Sequence, residues 1–235
     1  SSHKIAVVGR TNGDFSATFG YNDLTAIGDV FPQNENNRNG FVGVYELVSE
    51  PTTNTTVSAL LWGWVIDDVD NDDDSLYCTA FGPNDMVAVG GAIGGPVSTL
   101  TDDDYKDGYD AFVAVFNSTG DLMWAHSFGS EYNSGGERDE YVWAMVFDHE
   151  GNLYIGGSTE GYLTPPFIIA TDSANDNSID DCFVAKFNSS GHMIWGVQFG
   201  TQEDDEVFGI DYRFDVPTNQ GVVALTGYTR GDLYG

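Results

Sequence analysis

Carboxylates are the residues of this chain best suited by type and spacing to do chemistry. Asp68-x-Asp70-x-Asp72, followed by Asp74, sets acids on alternate residues, and Asp172, Asp176 and Asp180 repeat the idea with wider spacing. Ca²⁺ takes about six to eight oxygen ligands, and alternate acids on a loop supply several from one stretch. Neither run is an EF-hand loop, because the sixth position from Asp68 is Asp73 rather than Gly and the twelfth is Thr79 rather than Glu. Asp102 and Asp104 in TDDDYKDGYD and Asp204 in TQEDDE complete the candidate Ca²⁺ ligands. The competing reading of all ten acids is a solvated face that keeps the protein soluble.

The charge balance points the same way. The chain carries 37 Asp and Glu against 8 Lys and Arg, a formal charge of -29. Nucleic acids and anionic membranes need a cationic surface, so neither is a partner. Divalent cations, basic partners or a high-salt environment fit. No apolar run approaches the ~20 residues of a membrane span.

Other chemistry is thinly represented. His3, His126, His149 and His192 are scattered, and no GxSxG, HExxH, P-loop or GxGxxG motif occurs. Carboxylate pairs suited to glycoside hydrolysis exist only because acids are abundant. Asn54, Asn117 and Asn188 open sequons, which mark a glycoprotein if the chain is secreted by a eukaryote. Arg230-Gly231-Asp232 spells an integrin-type tripeptide, but the equivalent loops read Thr11-Asn-Gly-Asp14 and Thr159-Glu-Gly161, so the Gly there is a loop requirement. Cys78 and Cys182 fall at non-equivalent places and read as small buried apolar residues, not a disulfide.

The elements that position these residues repeat. DAFVAVFNSTGDLMWAHSF (110–128) recurs as DCFVAKFNSSGHMIWGVQF (181–199), and Trp124 and Trp195 lie 71 residues apart. A weaker copy holds FVGVYEL and ALLWGWV, with Trp62 in the corresponding place. Between and after these copies lie DDSLYCTAFGPNDMVAVGGAIGG, DEYVWAMVFDHEGNLYIGGSTEG and DEVFGIDYRFDVPTNQGVVALTGYTRG. Each pairs two apolar runs across a turn and ends in Gly, near Gly90, Gly156 and Gly227; a first such run ends at Gly9. Short runs rich in Val, Ile, Phe, Tyr and Trp between Gly, Asn, Asp and Pro turns are strands. Runs apolar at nearly every position, such as AFVAVF, belong to strands covered on both faces. Each unit therefore predicts four strands, the first pair including 76–81 and 86–90 and the second 111–116 and 122–128. Trp62, Trp124 and Trp195 are expected in the core.

The repeat is similar to the bacterial-type SBBP β-propeller repeat, whose pattern runs roughly DAFVAKFD-turn-GN-LWA-FGG, then DE-YGIAVD-GN-YVTG-T. The matching residues are DCFVAKFNSSGHMIWGVQFGTQEDDEVFGI and DHEGNLYIGGSTEG, strongest over 85–227 and weakest over 14–38. The resemblance implies an all-β propeller of four-stranded antiparallel blades, often about seven, with the first strand innermost. It implies no single activity. The pieces 3–66, 73–128, 139–199 and 205–231 then make an arc of thirteen strands within one propeller segment. The chain opens inside a repeat, as expected of a piece of a larger ring.

Loops of a blade alternate between its two ends. The acidic runs at 66–75, 101–110, 171–181 and 201–206 all join second to third strands or one blade to the next, so they should gather at one end. The sequons should lie at the other. The reading that follows is a non-catalytic, extracellular or cell-surface module that binds a protein or glycan, holds divalent cations, and packs against remaining blades. The alternative is a carbohydrate-active hydrolase or lyase using the gathered acids.

Overall fold

The computed structural model describes residues 3–11, 24–27, 38–50, 55–66, 73–97, 103–104, 108–130, 138–164, 166–170, 179–215, 217–218 and 220–232. Regular structure among them is all β, apart from a 3-10 turn at Pro83–Asp85. The first sheet contains β1 (His3–Thr11), β2 (Leu24–Ile27), β3 (Asn39–Glu50) and β4 (Thr55–Ile66), in the order β1-β3-β4-β2. The second contains β5 (Ser75–Phe81), β6 (Val87–Ile93), β7 (Asp103–Asp104), β8 (Asp110–Phe116) and β9 (Leu122–Phe128), in the order β5-β6-β8-β9-β7. The third repeats that order with β10 (Glu140–Phe147), β11 (Leu153–Thr159), β12 (Phe167–Ile169), β13 (Asp181–Phe187) and β14 (Met193–Phe199). β15 (Asp205–Asp215) and β16 (Gln220–Thr229) form a two-stranded sheet.

The second and third sheets each hold a four-stranded antiparallel ladder as the repeat predicts, but neither stops at four strands. β2, β7 and β12 each pair in parallel with the fourth strand of their sheet. All three come from the link between second and third strands, which runs along the far edge before the chain re-enters the sheet. They are two to four residues long, too short to carry a periodic signal.

Sheets stack through two apolar clusters. On β8, Phe112, Ala114 and Phe116 face the first sheet, while Ala111, Val113 and Val115 face the third. That alternation leaves no solvent face, which explains the unbroken apolar run in AFVAVF. First strands pack side by side: β5 lies against β10, and β10 against β15.

Each first strand carries a β-bulge at the same place. The ladder slips between Leu76 and Cys78, between Val142 and Ala144, and between Val207 and Gly209. The extra residues are Tyr77, Trp143 and Phe208. Gly91, Gly157 and Gly227 make the bulges possible, because a Cβ there would collide with the carbonyl oxygens of Ser75, Tyr141 and Glu206. The Gly-ending second strands of the sequence are thus the partners of bulges.

Turns between third and fourth strands form the opposite end. Asn117 Oδ1 accepts the N–H groups of Thr119 and Asp121, each at 2.9 Å. Asn188 Oδ1 accepts those of Ser190 and His192 at 2.9 and 3.0 Å. Gly120 and Gly191 follow with φ of +89° and +84°, where a side chain is strained. Trp62 of the preceding sheet lies against Gly120, and Trp124 lies against Gly191. Trp64 Nε1 then donates to Gly120 O at 2.7 Å, and His126 Nε2 takes the same place on Gly191 O at 2.7 Å. Trp62 is buried as expected, whereas Trp124 and Trp195 are only half-buried.

Candidate functional site

The link end of the sheets is built from acids of two kinds. The first kind is buried and structural. Asp74 and Glu140 are fully buried. Asp74 Oδ1 accepts Gly94 N–H at 3.2 Å. Glu140 accepts Ser130 N–H at 3.0 Å, Ser130 Oγ–H at 2.7 Å and Thr159 Oγ1–H at 2.8 Å. Burial, opposed by those bonds, pushes the Glu140 carboxyl up to about 7. Asp205 accepts Thr201 N–H at 2.5 Å, and Asp181 accepts Gln198 Nε2–H at 2.9 Å.

Backbone bonds tie the sheets together beside these acids. Asp74 N–H donates to Arg38 O, Glu140 N–H to Tyr109 O, and Asp205 N–H to Asp180 O, at 2.6, 2.5 and 2.7 Å. Each runs from the start of a first strand to the residue that precedes the third strand of the sheet before it. Asp73 and Asp139 reinforce the joint, accepting the N–H groups of Arg38 and Tyr109 at 2.9 and 3.1 Å.

The second kind is crowded and less buried. Burial first, and then repulsion from Glu206, Glu160, Asp204 and Asp139, pushes the Asp180 carboxyl up to about 7. Glu160 is raised by burial and by Asp139, with Arg138 opposing. Asp180 of the run 171–181 thus lies near Asp204 and Glu206 of the run 201–206, so two of the four acidic runs come together among the described residues. Asp204 pairs with Arg230, which gives the Arg of the Arg-Gly-Asp tripeptide a local partner. Gly231 N–H donates to Thr229 Oγ1, as Gly161 N–H does to Thr159 Oγ1 in the preceding sheet, each at 3.2 Å.

Of the ten predicted cation ligands, Asp68, Asp70, Asp72, Asp102, Asp172 and Asp176 lie outside the described residues. Asp104 lies in β7, Asp74 is committed to Gly94, and Asp180 and Asp204 belong to the crowded group. Among the described residues, no group of three or more His, Cys, Asp or Glu side chains is arranged to hold a metal ion. Asn54 lies outside the described residues, while Asn117 and Asn188 occupy third-to-fourth-strand turns, where their Oδ1 atoms fix the turn. Cys78 and Cys182 are free thiols, and burial raises both, Cys182 to about 12. No helix among the described residues is long and apolar enough to cross a membrane.

The feature that sequence reasoning missed is aromatic. Tyr77, Trp143 and Phe208 meet across three first strands, with ring centroids 4.6 Å apart for Tyr77 and Trp143 and 6.1 Å for Trp143 and Phe208. Tyr141 stacks on Trp143 at 5.0 Å, and Tyr228 lies 5.7 Å from Phe208. This row meets the acids directly: Tyr141 Oη–H donates to Asp139 at 2.9 Å and Tyr228 Oη–H to Glu206 at 2.8 Å. Those carboxylates push both hydroxyls up, with burial foremost for Tyr141 and the Glu206 bond foremost for Tyr228, which reaches about 12. The signal was present, since an aromatic stands three residues after Asp74, Glu140 and Asp205 alike.

No protein-family model matches the chain. The chain is similar to the Regulatory protein FlaEY of Caulobacter vibrioides, at 28% identity over 126 residues. The matched stretch is 54% of this chain and 12% of that protein, so the chain corresponds to only a small part of it.

Proposed function

We propose that this chain is an arc of a β-propeller that serves outside the cell as a non-catalytic interaction or structural module, engaging divalent cations at its acidic end. The side-by-side packing of β5, β10 and β15 supports radial blades of the SBBP type, with further blades supplied by a longer chain or an assembly. The observation that carries the function is the crowding of Asp139, Glu160, Asp180, Asp204 and Glu206 at one place, which costs repulsion that a bound cation relieves. The partner is a cell-surface protein or glycan, reached through this end. The name of the Caulobacter relative, a regulatory protein, suits binding better than turnover.

Melting in chelator, in millimolar Ca²⁺ and in NaCl of matched ionic strength tests this reading. At a hundredfold excess over the dissociation constant, linkage gives about 2.7 kcal/mol, or a rise of about 5–10 °C for a domain of this size. A Ca²⁺ curve that superimposes on the NaCl control removes the specific sites.

Asp180 also favours a second reading. A carboxyl raised to about 7 by burial and by neighbouring acids is the electrostatic arrangement of a glycosidase acid–base pair. Hydrolysis of an aryl glycoside that Asp180→Asn abolishes would establish it, and no hydrolysis across a panel of such substrates would remove it.

A further inference from the structure

We infer that the aromatic row on the first strands is a docking surface for a basic peptide, with guanidinium or ammonium groups lying on the rings and the adjoining carboxylates taking their charge. The inference rests on the reading of the acidic end as a cation-engaging surface and names a class of partner for it.

The row is not core. Tyr77, Trp143 and Phe208 belong to neither apolar cluster, and Tyr77 and Phe208 remain 38% and 51% exposed. A bulge can carry any residue, yet all three carry a ring, and each is held by a second-strand glycine that excludes a side chain. The three bulges therefore set one ring each at matched positions, Tyr77 and Phe208 exposed and Trp143 half-buried between them, and centroid separations of 4.6 and 6.1 Å make them one platform. Such a platform suits a flat sugar or a cation. Its surroundings decide for the cation.

Tyr141 and Tyr228 join the platform to Asp139 and Glu206, so the ring faces stand in a negative field. Five carboxylates sit at this end with Arg138 and Arg230 beside them, which leaves negative charge in excess. Cations bind over ring faces within about 6 Å of the centroid, arginine most often. A peptide with basic residues spaced along an extended backbone would meet several rings at once, and the carboxylates would speed its encounter.

Calorimetry with a capped Arg-Gly-Arg-Gly-Arg peptide tests the inference, at 20 and 150 mM NaCl. We expect saturable binding that weakens with salt. The double variant Tyr77→Ala/Phe208→Ala should bind at least tenfold more weakly while keeping its far-ultraviolet dichroism. Should that variant unfold, Tyr77→Leu/Phe208→Leu keeps the bulk and removes the rings, and the same loss is expected. Glu206→Gln should weaken binding and flatten its salt dependence. The inference is overturned if the peptide does not bind, if folded ring variants bind it as well as the parent, or if neutral cellohexaose binds as tightly. The Ca²⁺ melting shift, read on the ring variants, separates the two proposals. A missing Ca²⁺ shift with ring-dependent peptide binding sinks only the divalent reading, and a Ca²⁺ shift without peptide binding sinks only this one.

Discussion

At the turn end of the sheets, Asn117 and Asn188 hold their own turns through N–H groups two and four residues ahead. At the link end, Asp74, Glu140 and Asp205 bond back to residues 38, 109 and 180 in the sheet before. One end is organised by neighbours in sequence, the other by neighbours in space. The contrast teaches where a repeat protein puts its sheet-to-sheet coupling: the turn end needs only a glycine and an overlying tryptophan, while the link end spends buried acids on every joint.

Removing the tryptophan contact tests the turn end most severely. Trp62→Ala should cost about 3–5 kcal/mol, the range for a large buried aromatic, measured by urea unfolding. Trp62 is only 7% exposed and lies on Gly120 and 5.4 Å from the Phe116 ring. A loss below about 1 kcal/mol would mean that the sheets are held together at the link end alone.

The link end answers to Glu140. Glu140→Ala leaves the N–H and Oγ–H of Ser130 and the Oγ1–H of Thr159 buried without their acceptor, so roughly 2–4 kcal/mol should be lost. Glu140→Gln keeps one acceptor oxygen and should lose less. Equal losses for the two variants would show that the carboxylate is not the joint.

A further test concerns protons. Asp180 and Glu140 both sit at about 7 in the folded chain, against about 3.9 and 4.3 in an unfolded one. The folded state therefore holds protons that the unfolded state has released, and stability falls as pH rises from about 4 to about 7. Asp148 acts the other way: against the cost of burial, bonds from Asn152, Lys186 and Glu150 hold its carboxyl low, so its contribution is lost in acid. The melting temperature should decline between pH 5 and 7.5, and Asp180→Asn should shallow the decline. An unchanged slope in that variant would place the burden on Glu140.

Much of this architecture was legible because it is local or periodic. The constant spacing of Trp124 and Trp195 gave the repeat, the apolar run in β8 gave a strand covered twice, and Asn-x-x-Gly gave the turns. The meeting of the runs at Asp180 and Asp204 followed from strand alternation alone. What stayed hidden depends on contacts between separate segments. Tyr77, Trp143 and Phe208 read as ordinary strand residues until the register shows each to be supernumerary. The acid runs looked uniform, yet Asp74 is sealed against Gly94 while Asp180 stands among charges, a difference set by packing and not by residue type.

The short parallel strands have a consequence for how such a chain survives its own repetition. Near-identical sheets are one another's best misfolding partners, because an open fourth strand in one copy matches the open fourth strand in the next. β2, β7 and β12 occupy that edge with a few residues each, satisfying part of its hydrogen bonding without adding a long new edge of their own. A link that merely had to reach the third strand could be much shorter. Its detour makes it a built-in guard against edge-to-edge association, and shortening it should be felt first in solubility rather than in melting temperature.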